Sequence, residues 1–150
     1  MLLDLLRSKD VEGIKRSWDA SPEAITVAAE WFFPCLERFV WGLSGMADGY
    51  VIEGVDFLPE HVTKLSTRFL VRSVFLGCLQ MTPERFDRFP GHSPGYTFLP
   101  EDERRQFAGD IPKWSAFMKQ MAEREGCPYL DMSEDFPSRL DQAETILVSQ

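Results

Sequence analysis

An α/β layered fold with a mostly parallel sheet is the architecture this chain predicts, on three observations. Helical and strand-like segments alternate along it. The strand-like segments are short continuous apolar runs, the pattern of strands covered on both faces. A hydrophobic content of 44% over 150 residues suffices for one ordinary core, and the length argues for a single domain over residues 1–150.

The elements follow in order. Residues 2–9 read as a short amphipathic helix that begins without a lead-in strand or cap. Ser21-Pro22-Glu23 supplies an N-cap, a first-turn proline and a first-turn acid. Behind them Ile25, Ala28, Ala29, Phe32, Leu36, Phe39, Val40 and Leu43 recur at helical spacing, with a kink expected at Pro34 and an end at residues 45–49. Residues 50–55 and 69–77 read as buried strands, with Arg72 the awkward residue of the second, and residues 59–67 as the short helix between them. Residues 101–107 and 112–125 read as two helices, 128–132 as a third strand, and a terminal helix starts near Glu134. Between Gln80 and Pro100, Gly91-His-Ser-Pro-Gly95 lies among Pro83, Pro90 and Pro100, the composition of an irregular excursion from the sheet.

A net charge of −8 without a basic tract disfavours bulk nucleic acid and anionic membrane surfaces as partners. Cys35, Cys78 and Cys127 are odd in number and widely spaced, which fits reduced, buried thiols better than a disulfide framework or a zinc site. Neither an export signal nor a run of spanning length is read, so a soluble cytoplasmic protein is expected.

The chemistry concentrates in Gly49-Tyr-Val-Ile-Glu-Gly-Val-Asp-Phe-Leu-Pro59. Three apolar residues before Glu53 would bury a strand while its acid emerges at the carboxyl end, where open parallel sheets bind ligands. Glu53 is therefore the candidate Mg²⁺ ligand or water-orienting acid; the bland alternative is an acid capping the next turn. Asp56 could share a metal's water shell or orient a substrate hydroxyl, against the alternative of a solvated loop acid. Gly54 between them would let backbone approach a phosphate, or would simply make the turn. Arg85, Arg88, Arg104 and Arg105 flank the excursion, and mobile arginines suit phosphoryl transfer. Surface ion pairs with Glu101, Asp102 and Glu103 explain the last two equally well. His61 and His92 have no carboxylate or thiol at ligand spacing and support no metal site.

The helix ending near Trp41, the Ile52-Glu-Gly-Val55 strand, Val71-Arg-Ser-Val-Phe-Leu-Gly77 and Pro128-Tyr-Leu-Asp-Met-Ser133 together resemble the P-loop kinase superfamily. The likeness is to adenylate-kinase-like small-molecule kinases and, in Ile-Glu-Gly-Val, to 2-phosphoglycerate kinase-like proteins. It implies a three-layer P-loop NTPase-like domain that uses ATP and Mg²⁺ to phosphorylate a small-molecule acceptor. In that family Glu53 would be the acid at the metal or acceptor site, with Asp56 beside it. Arg85, Arg88, Arg104 and Arg105 would serve a lid over residues 80–110, and Asp131 would lie near the adenine. The chain departs from the family in having no G-x-x-x-x-G-K-[ST] loop and no strand before it. The expectation is thus an N-terminally incomplete kinase-like domain with little or no ATP turnover. The alternative is a non-catalytic ligand-binding or protein-interaction module that self-associates through an open sheet edge.

Overall fold

A computed structural model of the chain describes residues 21–46, 49–88 and 100–148. The expected helix at residues 2–9 and the Gly91 to Gly95 loop with His92 lie outside the described residues. The structure forms two units, one within Met1–Arg72 and one within Ser73–Gln150.

The three-layer α/β expectation is overturned. Among the described residues 64% are helical and 5% are in strands, and the sheet has two strands. Apolarity alone does not make a strand: each extended N–H and C=O needs a neighbour to pair with, and a short apolar run carries no information about one.

In the first unit, helix α1 spans Pro22–Leu43. Ser21 caps it, its Oγ accepting from Ala24 N–H at 3.2 Å, and Pro22 occupies the first turn, where the missing N–H costs nothing. The helix continues through Pro34. Ile25, Ala29, Phe32 and Leu36 form its buried face. Helix α2, Pro59–Ser66, contributes Leu65 to a core with Phe32 and Leu36, which Phe33, Cys35, Val40, Phe57, Phe69 and Val71 line more openly. Residues 50–55, read as a buried strand, are irregular, with a bend at Val55; they belong to no sheet among the described residues, and all six are exposed. Gly54 meets a local requirement: a Cβ there would stand 3.0 Å from the Phe57 ring, which lies over it.

In the second unit, β1 (Phe75–Gly77) and β2 (Tyr129–Asp131) pair in parallel, Phe75 with Tyr129, Leu76 with Leu130 and Gly77 with Asp131. Only the end of the expected 69–77 strand is therefore strand, and Leu70 within that run is 95% exposed. Parallel pairing requires a long crossover. It is supplied by α3 (Pro83–Arg88) and α4 (Glu101–Glu125). The two helices expected at 101–107 and 112–125 are one: Pro112 removes a single backbone hydrogen bond, and α4 runs on through it. Gly126, at φ 68°, ends α4 in the left-handed conformation that glycine adopts without steric cost. Helix α5, Phe136–Val148, follows, and Ala143 on it packs with Leu130 and Met132, flanked by Val74 and Ile146. Among its described residues, the region expected as a lid over 80–110 holds α3 and the first turns of α4, the latter read as a helix from the sequence. Phe86 of α3 tilts against Phe107 of α4, ring centroids 5.7 Å apart.

Candidate functional site

Two clusters of polar side chains stand out, one in each unit. In the second, the carboxyl ends of β1 and β2 are laced together. Asp131 Oδ1 accepts hydrogen bonds from Leu79 N–H at 3.1 Å, Ser133 N–H at 3.0 Å and the Ser133 hydroxyl at 2.5 Å. Ser133 Oγ in turn accepts from Gln80 N–H at 3.0 Å and lies 3.7 Å from Cys78 Sγ. Burial alone would raise the Asp131 carboxyl, but the hydrogen bonds from Ser133 and Leu79 outweigh it and hold it below its ordinary value. Asp131, assigned to the adenine side by the kinase resemblance, here fixes the loop leaving β1 to the turn leaving β2. Ser115 performs the matching task on the other side: its Oγ donates to Ile111 C=O at 2.7 Å and accepts from Cys78 N–H at 2.8 Å. Tyr129 lies beside it under Gly77, and burial pushes its phenol up to about 12, so it is a neutral wedge.

The arginines expected over a transferring phosphate are engaged with the protein. Arg85 donates from Nη2 to Met132 C=O at 3.3 Å. Arg104 Nε is 3.9 Å from Asp87 Oδ1, and Arg105 donates from Nε and Nη2 to Glu101 Oε1 at 3.0 and 2.7 Å, one turn away. Arg88, on the last turn of α3, is exposed and not free of partners. Glu53 is exposed at the end of no strand, and Asp56 is 9% exposed and likewise not free. Neither belongs to a group of three potential metal-binding side chains among the described residues. The three cysteines, expected buried, are partly exposed and form no disulfide with one another.

The first unit holds the cluster that spacing concealed. Glu30 on α1 and Glu60 and His61 on the first turn of α2 each place one donor atom within 4.8 Å of the others. His61 is fully buried, with Phe33 stacked on its ring at 4.3 Å between centroids. Its Nε2 lies 3.3 Å from Glu30 Oε1, and its Nδ1 is buried without a hydrogen-bond partner. Lys64 Nζ stands 3.9 Å from the same Glu30 oxygen and over the Phe33 ring. Burial pushes the imidazole below its ordinary value, more than Glu30 pulls it back. A hydrogen bond with Glu60, opposed by burial, holds Glu30 low. The carboxylate nearest the ring comes not from sequence spacing but from the packing of α1 on α2, since Glu30 is 31 residues away along the chain.

A pH dependence follows. A neutral buried His61 means that the unfolded chain binds the extra proton first, so its stabilising contribution is full above the ordinary histidine value, about 6.5, and is lost as pH falls below it. The depressed Glu30 carboxyl acts in the same sense at lower pH. Melting temperature should therefore drop from pH 7 to pH 5 in the wild type. In His61→Phe, which keeps the stack on Phe33, the drop should be smaller; an identical drop would show that His61 is not a source of it.

No helix among the described residues is long and apolar enough to cross a membrane. No protein-family model, curated protein or solved structure matches the chain.

Proposed function

We propose that this chain is a non-catalytic protein-interaction module that binds a second copy of itself through the first unit. One observation carries the proposal: the largely apolar segment at residues 50–55 is exposed and joins no sheet among the described residues. Val51 is 86%, Val55 60% and Tyr50 50% accessible. On pairing, its backbone would supply a strand's hydrogen-bonding edge, and its side chains offer the apolar area that makes pairing favourable. Helix α1 adds to it. Val27, Trp31 and Trp41 fall at helical spacing on the side opposite the buried face and are all exposed, Trp41 at 67%. A helix apolar on two opposite sides is suited to being covered on both. An isologous contact needs only that one surface complement itself, which an extended segment does by antiparallel pairing.

Phosphotransfer, by contrast, draws no support from the geometry, since Glu53 stands at no strand end and Arg85, Arg104 and Arg105 face protein acceptors.

Sedimentation of the full chain tests the proposal. Reversible self-association is expected. Lysine at both Val51 and Val55 should weaken it at least about 100-fold, because each buried valine is worth about 1.5–3 kcal/mol. A wild type that stays monomeric at its solubility limit, or a double variant that associates unchanged, would overturn it. Mg-ATP should leave the melting temperature unmoved; a clear rise would favour the phosphotransfer alternative.

A further inference from the structure

We propose that Glu30, Glu60 and His61 form a binding site for a divalent transition-metal ion, Zn²⁺ by the chemistry of its donors. The site joins two helices: one carboxylate comes from α1, and the other carboxylate and the imidazole from the first turn of α2. The donor atoms lie within 4.8 Å of one another, so shifts of about 1 Å bring them to the 2.0–2.2 Å bonds that Zn²⁺ makes with nitrogen and carboxylate oxygen.

The two acids would not make a site by themselves. The further observation is His61, a fully buried polar ring aimed into the cluster. It is held there by one long contact, 3.3 Å to Glu30, and its other nitrogen has no hydrogen-bond partner. A metal bond at Nε2 would replace the long contact to Glu30 with a short bond to the buried ring. Two carboxylates balance the charge of a divalent ion. One nitrogen and two oxygens fall well short of the six to eight oxygens that Ca²⁺ takes, and an imidazole favours zinc-like ions over Mg²⁺.

Two features set the strength of binding. Metal at Nε2 places the ring proton on Nδ1, which has no acceptor, and absence of such an outer partner lowers metal affinity about 10–100-fold. Lys64, 3.9 Å from Glu30, competes for the same carboxylate. The site should therefore bind at micromolar rather than nanomolar levels, and Lys64→Gln should tighten it several-fold.

The test is calorimetric titration of the chelator-treated full chain with Zn²⁺, alongside Co²⁺ absorption spectra. Expected are one ion per chain, at least about 10-fold weaker binding in both Glu30→Gln and Glu60→Gln, and a Co²⁺ spectrum without a thiolate charge-transfer band. Glu30 is half exposed, so its glutamine variant is expected to fold, and a melting curve without metal verifies this for each variant. No binding, equal binding by the glutamine variants, or a thiolate band placing the ion on a cysteine would each overturn the assignment.

Discussion

Gly77→Ala is expected to destabilise the second unit by about 3 kcal/mol, at the upper end of overpacking penalties, and to lower its melting temperature by roughly 12–24 °C. Gly77 ends β1 directly above the Tyr129 ring on the paired strand. A Cβ at this position would run into the Tyr129 hydroxyl and stand 2.9 Å from both Tyr129 Cζ and Ser115 Cβ. None of these can step aside cheaply: the ring is rigid, and Ser115 is buried and bonded to Cys78 N–H and Ile111 C=O. The hydroxyl is the nearest obstacle, so in a Tyr129→Phe background the glycine substitution should cost less, though not nothing, because Cζ and the Ser115 Cβ remain. A Gly77→Ala protein that melts with the wild type, or a penalty equal in both backgrounds, would show that β1 and β2 do not approach as described.

The second large effect concerns Asp131. Its substitution by alanine leaves Leu79 N–H, Ser133 N–H and the Ser133 hydroxyl without their shared acceptor. Hydrogen bonds to a charged group contribute about 1.5–3 kcal/mol each, but these three converge on one partly exposed oxygen, so a total of about 3 kcal/mol is expected rather than their sum. Asparagine, which keeps an oxygen in place, should lose less. Because its folded-state value lies below the ordinary one, the carboxylate's contribution is full above about pH 4 and is lost as pH falls through the lower folded value. A nucleotide-binding role would instead show as lost ATP affinity at unchanged stability, and that outcome would refute the clamp.

Local signals in the sequence were legible because they act over a few residues. Ser21-Pro22-Glu23 announces the start of α1, Pro59 that of α2, and the Pro128 to Met132 run contains β2. What failed were inferences about partners. Residues 50–55 have the composition of a central strand, yet a strand exists only if another backbone lies beside it, and in the first unit none does among the described residues. Pro112 reads as a helix break, but tertiary burial of Ala108 and Ser115 on either side carries α4 across it. The Glu30, Glu60 and His61 cluster was hidden because its members meet only when α1 and α2 pack. The Asp131 network is part local and part not: Ser133 is two residues away, while Leu79 is brought to it by the parallel pairing of β1 and β2, which the neighbourhood of Asp131 does not encode.

The most direct measurement is hydrogen exchange of the amides at residues 50–55 as a function of protein concentration. These amides belong to no sheet among the described residues, so they should exchange freely in dilute protein. If the segment pairs with a second copy, protection should rise with concentration and stay absent in the Val51→Lys, Val55→Lys double variant. Fast exchange at every concentration would contradict the interaction proposed for this surface, and strong protection in dilute protein would contradict its unpaired conformation.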